Sequence, residues 1–147
     1  MAMWECEHSE VTAASGEAVW ALWSDVRTWP DWDAGIEWVE LGGPFAAGSE
    51  GKLKPAGSRA VRFRMLFAEP GAGFADETKL PLARMRFEHE LADRSSGGTS
   101  ITHRVRISGP LAPLFTRVIG RGLARELPET VRRLARRAEG AVSSEAA

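Results

Sequence analysis

His8, His89 and His103 are the histidines of this 147-residue chain, and each falls on the apolar side of an alternating segment. Histidine changes charge near neutral pH and ligates metals, so inward placement makes all three candidates for chemistry. His89 and His103 flank the polar stretch 92–98 almost symmetrically, which makes them candidate cross-strand neighbours. Three uses stay open for them: satisfied polar groups in a wet cavity, an acid–base pair, or metal ligands. No HxxxH or CxxC spacing supports the last, and no metal is assigned. Asp76 and Glu77 are consecutive, so only one can point inward, and a one-residue slip exchanges them. Both are read as surface carboxylates. Cys6 is the single cysteine, and no serine lies in a GxSxG frame, so nucleophilic catalysis finds no support. The glycines at 42, 43, 48 and 51 lack the GxGxxG pattern, and no helix pattern follows them, so they form no nucleotide loop. They read as a loop tipped by Phe45, either an ordinary turn or a gate over a cavity.

These groups need elements to hold them. Residues 3–11 alternate, as do 60–69, 82–91 and 99–108, and each reads as a strand with one apolar face. Val61, Phe63, Met65 and Phe67 share one such face; Ala83, Met85, Phe87, His89 and Leu91 share another; Ile101, His103, Val105 and Ile107 share a third. Shorter strands are expected at 36–41, 51–55 and 74–80, the last with unclear register. Ser15 is an N-cap candidate for a short helix over 17–23, and Pro30 suits the first turn of a second. Residues 111–138 carry a helical apolar stripe, with a kink expected one turn before Pro128. Short hairpins make the sheet antiparallel. The expected fold is α+β: about seven strands curved around a long C-terminal helix, two short helices after the first strand, and a cavity between sheet and helix. One domain over 1–138 and a frayed polar tail over 139–147 are expected.

All six tryptophans lie within the first 38 residues, four of them in the run Trp20 to Asp33, WALWSDVRTWPDWD, and tyrosine is absent. Such a cluster on short helices suggests one wall of an apolar pocket. Net charge is −1, from 19 basic and 20 acidic residues, which argues against nucleic acid as a partner. Arginines crowd the last helix from Arg117 to Arg137 and read as its solvated face. No stretch approaches the ~20 apolar residues of a membrane span, no signal-peptide pattern is seen, and a lone cysteine suits a reducing compartment, so a cytoplasmic protein is expected.

Four segments in order, VWALWSDVRTWPDWD (Val19 to Asp33), LGGPFAAGSEGKLKP (Leu41 to Pro55), FADETKLPLARMRFEHEL (Phe74 to Leu91) and THRVRISGPLAPLF (Thr102 to Phe115), resemble the START-like, helix-grip (SRPBCC) superfamily, in its polyketide cyclase/dehydrase and lipid-transport branch. The resemblance spans Trp4 to about Arg137. It implies that the first strand lies beside the last, which would set His8, His103 and His89 in one row. It also implies binding of lipids, hormones or polyketides, with cyclisation or dehydration in some members. Aromatising cyclases place phenolic groups deep in the pocket, and this chain has no tyrosine.

The expectation is a binding protein for a small, mostly apolar molecule, lipid-like or polyketide-like, held by Trp29, Trp32, Phe63, Met65, Phe67, Met85, Phe87, His89, His103, Val105, Phe115 and Ile119. The alternative is a cyclase/dehydrase-type enzyme with His89 and His103 as catalytic acid–base groups. No cofactor is assigned, and a weak homodimer stays open. Binding is expected to weaken as pH falls through ~6.5, where an enclosed histidine would gain charge.

Overall fold

The computed structural model describes residues 3–146, with side chains through Gly140, so most side chains of the expected tail at 139–147 fall outside the described residues. Strand β1 (Met3–Thr12) leads into α1 (Gly16–Ser24), a 3₁₀ turn (Val26–Thr28) and α2 (Trp29–Trp32). Six strands follow: β2 (Ile36–Leu41), β3 (Glu50–Pro55), β4 (Val61–Glu69), β5 (Gly73–Leu80), β6 (Ala83–Asp93) and β7 (Thr99–Ser108). The chain closes with α3 (Ala112–Phe115), a π-helical segment (Thr116–Gly120) and α4 (Arg121–Ala146).

All strand pairings are antiparallel, in the order β1-β7-β6-β5-β4-β3-β2. The first strand lies beside the last, as the resemblance implied. Alternation places every odd residue of β7 from Thr99 to Ile107 in the interior. The Ser15 hydroxyl accepts from the Ala18 amide at 3.2 Å and starts α1, and Pro30 lies in the first turn of α2.

Two apolar clusters form the interior. The larger joins Trp23, Trp29, Trp32, Phe63, Met65 and Phe74 to Val131, Leu134 and Ala138 of α4. The smaller joins Met85, Val105, Ile107 and Ala112 to Phe115, Ile119, Leu123 and Leu127. Thr12 ties sheet to helix, its hydroxyl donating to the Ala135 carbonyl at 3.0 Å. On the outer face the charges of β1, β6 and β7 pair across strands. Arg104 reaches Glu7 at 2.8 Å and Glu90 at 3.0 Å, and Arg106 reaches Glu5 at 2.8 Å.

Two readings change. The expected single helix from 111 is interrupted by a π-helical turn, where Gly120 lies against the Trp4 ring; a Cβ there would come within 3.1 Å of it. The inward row Val61, Phe63, Met65, Phe67 also breaks. The register slips between Met65, opposite Asp76, and Phe67, opposite Ala75. This β-bulge turns Phe67 to the outer face, 36% exposed, and brings Ala68 inward opposite Phe74.

Candidate functional site

A cavity of about 190 Å³ lies between the two apolar clusters. Trp29 and Trp32 of α2 form one wall, the inward residues of β4 to β7 the floor, and Ile119, Leu123 and Leu127 the helix side. The Trp29 indole N–H donates to the Trp23 carbonyl at 2.9 Å, which holds the ring with its face against Phe63, centroids 6.3 Å apart. Of the twelve residues expected at the site, Trp29, Trp32, Phe63, Met85, Phe87, His89, His103, Val105 and Ile119 line this space. Met65, Phe67 and Phe115 do not. Met65 is packed into the larger cluster, Phe67 is turned outward by the bulge, and Phe115 faces the smaller cluster.

The histidine row exists as a register: His8 opposite His103, and His103 opposite His89. His8 does not line the cavity. It is half-exposed and its Nε2 meets Glu10 Oε2 at 2.5 Å. His89 and His103 are buried, with ring centroids 4.5 Å apart at 74°. Trp23 packs against both, and Trp32 meets His103 edge-on at 5.9 Å. His89 Nδ1, His103 Nε2 and Trp23 Nε1 are buried polar atoms without a hydrogen-bond partner among the described residues. Burial pushes both histidines down: His89 well below its usual value, helped by nearby His103, and His103 to about 3, helped by His8. The rings are therefore uncharged at neutral pH. The expected loss of binding near pH 6.5 through a charged histidine loses its physical basis.

Pairing of β5 with β6 settles the doubtful register. Phe74 faces His89, Asp76 faces Phe87 and Thr78 faces Met85, so Asp76 and Thr78 point into the cavity. Glu77 turns outward toward Arg84 at 3.5 Å. The reading of Asp76 as a surface carboxylate is thus overturned: it is 6% exposed, and burial alone pushes its carboxyl up to about 8. Alternation with Phe74 and Thr78 was the available signal, but it needed the pairing to choose the face. The cavity approaches solvent beside Glu126 of α4, which is exposed. There Asp33 accepts from the Gly35 amide at 2.9 Å, and burial raises its carboxyl to about 6, with Glu126 adding to the shift. Gly35 leaves room for these acids, since a Cβ would lie 3.1 Å from Glu126 and 3.2 Å from Asp33. Sequence reading missed Asp33 and Glu126 because neither belongs to an apolar pattern.

Among the described residues, no group of three or more His, Cys, Asp or Glu side chains is placed to hold a metal ion. Burial raises the Cys6 thiol pKa, which disfavours the thiolate. Phe45 is packed, not free, with its ring 4.9 Å from Phe74 and 5.7 Å from Trp20. Among the described residues, no helix is long and apolar enough to cross a membrane.

Solved structures share this fold at low identity. The ZhuI aromatase/cyclase from a Streptomyces species superposes with a TM-score of 0.80 at 17% identity, covering 96% of each chain. Norcoclaurine synthase from Thalictrum flavum gives 0.70 at 12% identity, covering 97% of this chain and 88% or less of that one. No curated protein sequence matches. The family model described as polyketide cyclase / dehydrase and lipid transport matches residues 3–139, nearly the whole chain, and the protein belongs to that family.

Proposed function

We propose that this protein binds one small, mostly apolar molecule between its sheet and α4. The observation that carries this reading is the cavity itself, about 190 Å³, walled by tryptophan, phenylalanine and aliphatic side chains, with two buried histidine nitrogens beside it that have no hydrogen-bond partner among the described residues. That volume somewhat exceeds the ~150 Å³ of an apolar cavity known to hold benzene. It suits a ligand of one or two rings better than a whole long-chain lipid. Family membership supports the same reading, as does the lone Cys6 for a cytoplasmic setting. Titration with a panel of lipids, sterols, aromatic polyketides and one- and two-ring aromatic compounds tests it, read by tryptophan emission. A saturable change at one ligand per chain supports binding. No change with any compound rejects it and leaves a packed domain acting through its surface.

A second reading, a cyclase/dehydrase-type enzyme, draws on opposite shifts in one space. Asp76 is pushed up to about 8 and keeps a proton to donate at neutral pH, while His89 and His103 are pushed down, stay uncharged and offer unpartnered ring nitrogens as hydrogen-bond partners. The fold shared with ZhuI, an aromatase/cyclase, supports it. Turnover of a linear polyketide mimic, lost in both Asp76→Asn and His103→Gln while binding persists, would favour catalysis over simple binding.

A further inference from the structure

The ionisable chemistry inside the cavity is one-sided. Asp76 is 6% exposed and lines the cavity, and among the described residues its carboxyl has neither a hydrogen bond nor an ion pair. Asp33 and Glu126 add two more acids toward solvent. Among the described residues of the lining no basic side chain meets Asp76; toward solvent, Arg133 of α4 partly offsets Asp33. Arg104 is the basic residue of the lining, and its guanidinium is tied to Glu7, Glu88 and Glu90 on the outer face of the sheet. Lone buried carboxyls are costly unless a cation or hydrogen bond meets them. Trp29, Trp32, Phe63 and Phe87 line the same space, and aromatic faces attract cations, most strongly when water is excluded.

Building on the binding reading above, we propose that the cavity selects a one- or two-ring molecule bearing a basic amine, with Asp76 as its counter-ion and the aromatic wall around the ammonium. A carboxylate ligand would add a fourth acid. A neutral alcohol would gain the apolar burial but not the ion pair.

The proton balance follows. At neutral pH the empty-handed Asp76 carboxyl keeps its proton; an arriving ammonium replaces it, the Asp76 O–H breaks, and one proton leaves to solvent. His89 from β6 and His103 from β7 stay uncharged. Asp33, ahead of β2, titrates at about 6, and Glu126 from α4 is exposed. Release near pH ~7 to 8 therefore reports Asp76.

Isothermal titration of the full chain with naphthylmethylamine, naphthylmethanol and naphthoate tests this, in two buffers of different ionisation enthalpy. The amine should bind at least about tenfold tighter than the alcohol, and naphthoate weakest. Amine binding near pH ~7 should release close to one proton, alcohol binding none. Asp76→Asn should bring the amine down to the alcohol's affinity and leave the alcohol within about threefold. An amine that binds no tighter than the alcohol overturns the proposal, and so does an amine preference that survives Asp76→Asn. The wild-type comparison decides alone if that variant fails to fold. If the alcohol binds and the amine gains nothing, only the amine selectivity falls. If none of the three binds, nor any lipid, sterol or polyketide, the binding reading itself falls.

Discussion

Phe74 lies flat on His89, with ring centroids 3.9 Å apart and planes 6° from parallel. The two residues face each other across β5 and β6, so the stack is a cross-strand pair that also seals one histidine face from water. Phe74 is fully buried. Phe74→Ala should cost about 3–5 kcal/mol in denaturant unfolding. It should also hydrate His89 and move its pKa up toward the ordinary value, as read by NMR titration of the imidazole protons.

Asp76 makes folding stability fall as pH rises. Its folded pKa, about 8, lies above its ordinary value of 3.8, so the folded chain holds the proton more tightly than the unfolded chain. That stabilisation is complete below the unfolded value and is lost as pH rises toward the folded one. Asp76→Asn removes the dependence. Its stability relative to wild type should rise by up to ~1.4 kcal/mol per pH unit across that window. Urea unfolding at three pH values checks this, and a constant difference between the two proteins would contradict it.

His89 and His103 act in the opposite direction. Their folded pKa values lie below the ordinary 6.5, so they favour the fold above that value and oppose it as pH falls toward about 3 for His103. A double His89→Gln, His103→Gln variant should lose less stability than wild type between pH ~6.5 and ~4. The check is again urea unfolding across that range.

The bulge in β4 predicts a contrast between two phenylalanines on one strand. Phe63 is 4% exposed and lines the cavity, so Phe63→Ala should cost about 3–5 kcal/mol and weaken ligand binding. Phe67, on the outer face, should cost about 1 kcal/mol or less when replaced by serine and leave affinity unchanged. Equal effects in calorimetric titration and unfolding would mean the register is wrong.

Filling the cavity should block it. Leu123 of α4 lines the space and is only partly buried, so Leu123→Trp can occupy it for about 1–3 kcal/mol of strain or less. Affinity for the best ligand of the panel should drop at least about tenfold.

Period-two alternation was enough to place His89, His103, Val105 and Met85 inside, because each strand has one apolar face and a pleat admits no other arrangement. The polar 92–98 stretch was enough to pair the two histidines, since a hairpin joins its flanking strands with nearly matched register. The tryptophan run pointed to α2 as a wall because tryptophan carries a large rigid apolar surface on few residues. Three things needed the tertiary structure. Phe67 left the site because the bulge after Met65 adds one residue to one strand, which no pattern within β4 reveals. Asp76 entered it because only pairing with β6 chooses between two adjacent carboxylates. And its shift to about 8, like the drop of the histidines, comes from burial in the folded interior, which is a property of packing alone.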